Sequence, residues 1–140
     1  MCLGHLIYAS DAAGGMSPRE LEKIRSVAVW NNRTRLITGA LFYSNGRFVQ
    51  LLEGESLEVR RLFERIEQDE RHTNVRVLIE EPIERRTFRD WDMALLDLSY
   101  RSHADHERLE ELIRVAECGL MGERRHLEIL ADFCATLPIV

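Results

Sequence analysis

The chain has 140 residues, of which 45% are hydrophobic and 31% charged, a globular balance rich enough to bury one core. Its net charge is −5, and the arginine pairs at 60–61, 85–86 and 124–125 stand beside acids. Without clustered positive charge, nucleic acid is excluded as a partner. With no long apolar run, no signal-like N-terminus, and Cys2, Cys118 and Cys134 at neither zinc nor redox spacing, a cytoplasmic protein without a membrane span is expected.

In chain order, Leu3 to Ala9 reads as a short apolar strand, followed by a loop that turns at Gly14-Gly15. Ser17-Pro18-Arg19-Glu20 is a helix start: Ser17 caps, Pro18 suits the first helical position and Glu20 completes a capping box. Leu21, Ile24 and Ala28 recur at helical spacing, which carries this helix to about Asn31. Ile37 to Tyr43 and Arg47 to Glu53 form two strands joined at Asn45-Gly46, since both turn residues tolerate positive φ. Leu57 to Asp69 is a second helix with Val59, Leu62, Phe63 and Ile66 on one face. Val75 to Glu81 is a fourth strand, and Trp91 to Leu98 a fifth.

This order of strand, helix, strand, strand, helix, strand, strand predicts an α+β, ferredoxin-like βαββαββ sandwich with two helices on one sheet face. After Leu98 the pattern changes to two amphipathic stripes, from Ala104 to about Cys118 and from Glu123 to about Ala135. The expected division is a domain over 1–98 and a helical segment over 99–140 that caps the other sheet face.

Four polar positions fall where a core is expected. Gln50 shares a strand face with Phe48 and Leu52, and a buried amide without partners costs about 1–3 kcal/mol. Tyr8 shares a face with Leu6, and its hydroxyl also needs a partner if buried. Asn31-Asn32 closes the first helix; one of the pair reads as a helix stop, and each amide offers donors and an acceptor together, as a heterocycle edge requires. Trp91 and Met93 share a face of the fifth strand. Taken singly, each of these residues reads more readily as a satisfied core or cap residue than as a reactive one. His5, His72, His103, His106 and His126 lack metal-ligand spacing, and the chain has no activated nucleophile motif and no glycine-rich phosphate loop.

Together these residues resemble the BLUF family, sensors of blue light using FAD, over about residues 3–97. The resemblance is carried by Leu6-Ile7-Tyr8-Ala9-Ser10, Asn31-Asn32, Ile37-Thr38-Gly39-Ala40-Leu41-Phe42-Tyr43, Phe48-Val49-Gln50-Leu51-Leu52-Glu53-Gly54, Gln68-Asp69-Glu70-Arg71-His72 and Phe88-Arg89-Asp90-Trp91-Asp92-Met93, in that order. It implies a non-enzymatic photoreceptor holding a flavin non-covalently between the two helices, FAD by the family's habit, with FMN or riboflavin making similar ring contacts. By similarity Tyr8 bonds Gln50, and Gln50 bonds the flavin near N5 and the C4 carbonyl. Asn32 and Asn31 then meet its pyrimidine edge, and Ile24 packs on the ring. Arg65, Asp69 and His72 reach the ribityl and phosphate end. Trp30 stands where the family often has a basic or polar residue, which departs from the pattern. Trp91 or Met93 would carry the change at Gln50 into the fifth strand. Output would then pass to a downstream protein partner or through a homo-oligomer, because no output enzyme fits after residue 98.

Two rivals share the fold. A small acyl-phosphate hydrolase needs an anion-cradling loop with an arginine after the first strand, and Ser10 to Gly15 has glycines but no arginine. A metabolite-binding regulatory module is the other.

Overall fold

The computed structural model describes residues 2–14, 16–44, 46–86, the backbone of 94–97, and four helical positions at Glu107, Glu110, Glu111 and Arg114. The elements are β1 (Leu3–Ala12), α1 (Pro18–Arg35), β2 (Thr38–Ser44), β3 (Arg47–Glu55), α2 (Ser56–Glu67), β4 (His72–Pro82) and β5 (Ala94–Asp97). They build the expected ferredoxin-like sandwich. The sheet order is β4-β1-β3-β2-β5. The first four strands pair antiparallel, and β5 adds parallel to β2.

Both helices pack on one sheet face. Leu6 and Tyr8 of β1, Leu41 and Tyr43 of β2, and Phe48 and Leu52 of β3 form that face. Leu21 of α1 and Val59, Leu62 and Phe63 of α2 close over it. Ile7, Ala9, Ala40, Phe42, Val49 and Leu51 alternate to the other face and are equally buried. The two expected C-terminal helices, with Cys118 and Cys134, lie outside the described residues apart from the four helical positions, of which Glu110 meets the Arg47 guanidinium at the start of β3. No helix among the described residues is long and apolar enough to cross a membrane.

Local chemistry fixes the element ends. Ser17 Oγ accepts the Glu20 amide at 3.2 Å, so the expected cap forms. The helix runs past Asn31-Asn32, correcting the expectation of a stop there. It ends at Leu36, held in the left-handed region at φ 55° with its amide on the Asn32 and Arg33 carbonyls. β1 runs three residues beyond the predicted Ala9, because the Ala12 amide finds the Gly46 carbonyl at 2.7 Å. Ser44 pairs with Arg47 around Asn45-Gly46, and Gly46 takes φ 77°, as the two-residue hairpin requires. Of the predicted fifth strand, 94–97 is observed; Trp91, Met93 and Leu98 lie outside the described residues.

One end of the sheet is fastened by polar groups. Glu81, His5, Glu53 and Thr38 stand in register across β4, β1, β3 and β2 on the face away from the helices. His5 Nε2 meets Glu81 at 2.8 Å. Arg86 then donates to Thr38 Oγ1 and the Glu53 carbonyl, both at 3.0 Å, and to the Leu36 carbonyl at 2.6 Å. One guanidinium therefore ties the end of α1, the start of β2 and the end of β3 to the chain that leads into β5.

Two substitutions test this framework with opposite signs. At Gly39 a Cβ would lie 1.9 Å from the Leu51 carbonyl oxygen, so Gly39→Ala is expected to lose at least about 2 kcal/mol through forced backbone movement. Leu36 is 77% exposed and buries little, so Leu36→Gly is expected to gain up to about 1 kcal/mol from relief of left-handed strain. Urea denaturation of both variants measures these shifts.

Candidate functional site

Tyr8 and Gln50 are direct cross-strand partners in the β1–β3 ladder, and Gln50 is in turn opposite Leu41 of β2. Both side chains therefore rise from the centre of the sheet toward the helices. Tyr8 is 3% exposed and Gln50 4%. The Tyr8 hydroxyl donates a short hydrogen bond to Gln50 Oε1. Burial pushes the Tyr8 pKa well above the usual tyrosine range, and the Asp69 carboxylate adds to the shift. The phenol is accordingly neutral and a donor. A neutral phenol facing an amide selects its oxygen, so Gln50 turns its nitrogen end away from Tyr8.

The Tyr8 ring is boxed in. Phe63 tilts against it with centroids 5.4 Å apart, and His72 meets it near edge-on at 6.0 Å and 80°. His72 is itself held at both nitrogens. Nε2 lies 2.7 Å from the Ile66 carbonyl at the end of α2, and Nδ1 lies 2.8 Å from Ser10 Oγ. A carbonyl only accepts, so Nε2 carries the proton, and in the neutral ring Nδ1 accepts from the Ser10 hydroxyl. β4 slips register on both sides of Tyr8, between Ile7 and Tyr8 and between Ala9 and Asp11, and Asn74 takes φ 53° within it. Such bulges re-aim side chains beside functional sites; here they bring His72 beneath the C-terminus of α2.

Over this pair opens a cavity of about 260 Å³ between α1 and α2. Its wall includes every described residue that the resemblance assigned to the flavin: Tyr8, Ile24, Asn31, Asn32, Gln50, Arg65, Asp69 and His72. The remaining wall, of Val27, Ala28, Leu41, Phe48, Leu62, Ile66 and Arg71, was not singled out. Strand alternation and helical spacing place Leu41, Phe48, Leu62 and Ile66 on this face. Nothing in the residue pattern marks Val27 or Arg71, which belong to the rim. Asn32 is buried in the last turns of α1, where helix propensity disfavours asparagine. Asp69 accepts the Arg71 amide at 2.9 Å, and the Arg71 guanidinium lies 3.6 Å from it, so it closes its own turn as well as the cavity floor. Trp91 and Met93 lie outside the described residues.

The lining fits a flavin. Three amides, Asn31, Asn32 and Gln50, combine donors and acceptors as the ring's alternating carbonyls and nitrogens require. Aliphatic groups supply the flat walls. The volume lies just under the roughly 300–1,000 Å³ of drug-sized sites, which suits a fused ring system and leaves a phosphate-bearing tail outside. Among the described residues no group of three or more histidines, cysteines or acids is placed to hold a metal.

These features define a ferredoxin-like flavin-type site, a ring-sized cavity between two helices over a buried Tyr8–Gln50 pair, and comparison with known proteins says which family it belongs to. The chain matches the family described as sensors of blue-light using FAD, BLUF, over residues 3–94. It belongs to that family, and is a blue-light sensor domain that binds a flavin. It is 41% identical over 83 residues to photoactivated adenylate cyclase subunit alpha of Euglena gracilis, covering 59% of this chain and 8% of that protein. It is 32% identical over 114 residues to the blue light- and temperature-regulated antirepressor BluF of Escherichia coli (strain K12), covering 81% of this chain and 27% of the relative. The chain thus spans a small part of these curated relatives. Among solved structures, BlsA in its photo-activated state superposes with a TM-score of 0.77 at 26% identity, over 99% of this chain and 98% of that one.

Because the buried phenol ionises above its unfolded value, folding stability tied to Tyr8 is present in full below the ordinary tyrosine pKa of about 10. It is lost as pH rises toward the folded value. Above pH 10 the unfolding free energy is expected to fall by about 1.4 kcal/mol per pH unit from this group. Urea titrations at several alkaline pH values should show a slope shallower by that amount in Tyr8→Phe.

Proposed function

We propose that the chain acts as a non-enzymatic photoreceptor in which Tyr8 and Gln50 are the photoactive pair, with Ile24, Asn31, Asn32, Arg65, Asp69 and His72 completing the flavin site. The observation that carries this reading is the Tyr8–Gln50 hydrogen bond inside the wall of a ring-sized cavity. When bound, a flavin supplies the blue absorption band and an excited state that accepts an electron and a proton.

Tyr8 is suited to donate. A phenol gives up an electron readily only when its proton can leave as well, and the Tyr8 proton already points at Gln50 Oε1. Gln50 relays that proton, taking it at its oxygen and giving one up from its nitrogen end toward the cavity, and then re-pairs, by rotation or tautomerisation, exchanging the donor and acceptor ends it presents there. Once electron and proton are back on Tyr8, the altered amide pairing persists as the signalling state. Asn31 and Asn32 orient the ring edge, Ile24 packs its face, and His72 fixes the angle of the Tyr8 ring through Ser10 and Ile66.

The signal leaves through β5. Leu95 of β5 stands opposite Leu41, and Leu41 stands opposite Gln50, so a single strand separates the relay amide from β5. Trp91 and Met93 immediately precede that strand and are the side chains proposed to follow the exchange at Gln50. Residues 1–98 form the sensing domain in this reading, and 99–140 the cap and output segment, supported by the Arg47–Glu110 pair and the amphipathic stripes of the sequence. Output passes to a protein partner or a second copy through this local change acting on a two-state element. The match covers only 8% of the cyclase subunit, so most of that protein lies outside this module.

The purified chain is expected to be yellow, with an absorption that shifts slightly red under blue light and recovers in the dark. Tyr8→Phe and Gln50→Ala should each abolish the shift while flavin stays bound. A chain that takes up no flavin on reconstitution would sink the reading, and a normal photocycle in either variant would refute the assigned pair.

A further inference from the structure

The outer face of α1 plays no part in the sensor reading. Successive helical residues step about 100°, so Arg19, Lys23, Val27, Trp30 and Arg33 fall within about 120° of the helix circumference. All are exposed. Trp30 is 72% exposed and Val27 51%, and at this spacing the two side chains are neighbours. Beside them runs an open trough along the N-terminal half of α1, whose lining includes Met16, Arg19, Lys23, Ile24 and Val27.

The charge of this face is opposite to that of the chain. The protein is acidic, and many of its described arginines face a carboxylate, as in Arg25–Glu22, Arg60–Glu80 and Arg61–Glu58. Arg19 and Lys23 have no carboxylate partner among the described residues. The nearest acids of α1 lie outside the arc. Glu22 is held by Arg25 at 3.1 Å, and Glu20 sits in the first turn, where a negative charge complements the helix dipole. An exposed indole and valine flanked by cations match the anatomy of a protein interface, with an aromatic anchor at the centre and charge at the rim. Nucleic acid needs a broad positive field, which a chain of net charge −5 does not supply. A helix lying on a membrane needs a continuous apolar face, and here two apolar side chains stand among cations.

We propose that this face of α1 docks an acidic segment of a partner protein, which sets apolar side chains against Trp30 and Val27 and carboxylates against Arg19 and Lys23. Charge complementarity selects the occupant, and the exposed indole anchors it. The inference goes beyond the flavin reading and does not depend on it. Val27 also walls the ring cavity, so a segment docked here touches the sensing site by a route separate from β5.

The test is titration of the isotopically labelled full chain, followed through its backbone amide resonances. The probes are a synthetic amphipathic peptide of glutamate and leucine, the same peptide with glutamine in place of glutamate, a short double-stranded DNA, and phosphatidylglycerol vesicles. The glutamate peptide should shift α1 resonances between residues 19 and 34 saturably, and added salt should weaken it. The glutamine peptide should bind at least about fivefold more weakly, and neither DNA nor vesicles should shift α1. Trp30→Gln and an Arg19→Gln, Lys23→Gln double variant should each weaken the glutamate peptide by about fivefold to tenfold. Unmoved resonances of β1 and β3 show that both variants are folded. No shift on α1 with the glutamate peptide, equal binding of the two peptides, or unchanged binding in either variant would overturn the proposal. So would a stronger response to DNA or vesicles, or α1 resonances that move with protein concentration alone, as a second copy would produce. A wild-type chain that binds no flavin overturns the ring site and leaves this surface standing.

Discussion

The structure turns on a matter of register. Tyr8 and Gln50 meet only because β1 and β3 pair with these two residues directly opposite each other. Strand side chains alternate with a period of two, so a slip of one residue would send Gln50 to the far face of the sheet and leave a buried phenol without an acceptor. Much of the framework serves to forbid that slip. The two-residue connection between Ser44 and Arg47 sets the phase of β3 against β2. Gly39 lets the two strands approach where any side chain would strike the Leu51 carbonyl. His5, Glu81 and Arg86 fasten the opposite end of the sheet with bonds that exist in one alignment only.

With the pair in place, its surroundings decide its chemistry. Burial keeps the phenol protonated, so it must donate, and Gln50 must offer oxygen. The bond from Tyr8 thereby selects one of the amide's two orientations. An amide also offers what a switch needs, a second pairing of the same side chain reached by a proton transfer or a rotation. The rest of the box is stiff by comparison. Phe63 and His72 confine the Tyr8 ring, and His72 is fixed at both nitrogens by Ser10 and Ile66. In the proposed reading a change at Gln50 is therefore not absorbed by slack around Tyr8, and passes along the register row Gln50, Leu41, Leu95 toward β5.

Much of this was legible in the residues. Alternation placed Gln50 with Phe48 and Leu52 and Tyr8 with Leu6, and the hairpin and the Ser17 cap follow from local chemistry that tertiary structure does not override. The end of α1 was not legible. Asn31-Asn32 reads as a stop because asparagine favours caps, yet here tertiary contacts override that preference and the helix ends on a left-handed leucine secured by Arg86. The length of β1 and the bulges of β4 depend on partners far away in sequence, Gly46 for the one and Tyr8's neighbours for the other. The same holds for His72. Its place beside Asp69 marks it as a site residue by resemblance, but its engagement by Ser10 and Ile66 appears only when β1, α2 and β4 are assembled.

The central claim is that light re-pairs the Gln50 amide through its bond to Tyr8. Infrared difference spectra of the flavin-loaded chain, light minus dark, with glutamine side chains isotopically labelled, address it directly. The account predicts glutamine amide bands that change sign or position on illumination, decay with the absorption shift, and vanish in Tyr8→Phe. A full, reversible absorption shift with no glutamine band in the difference spectrum would contradict it.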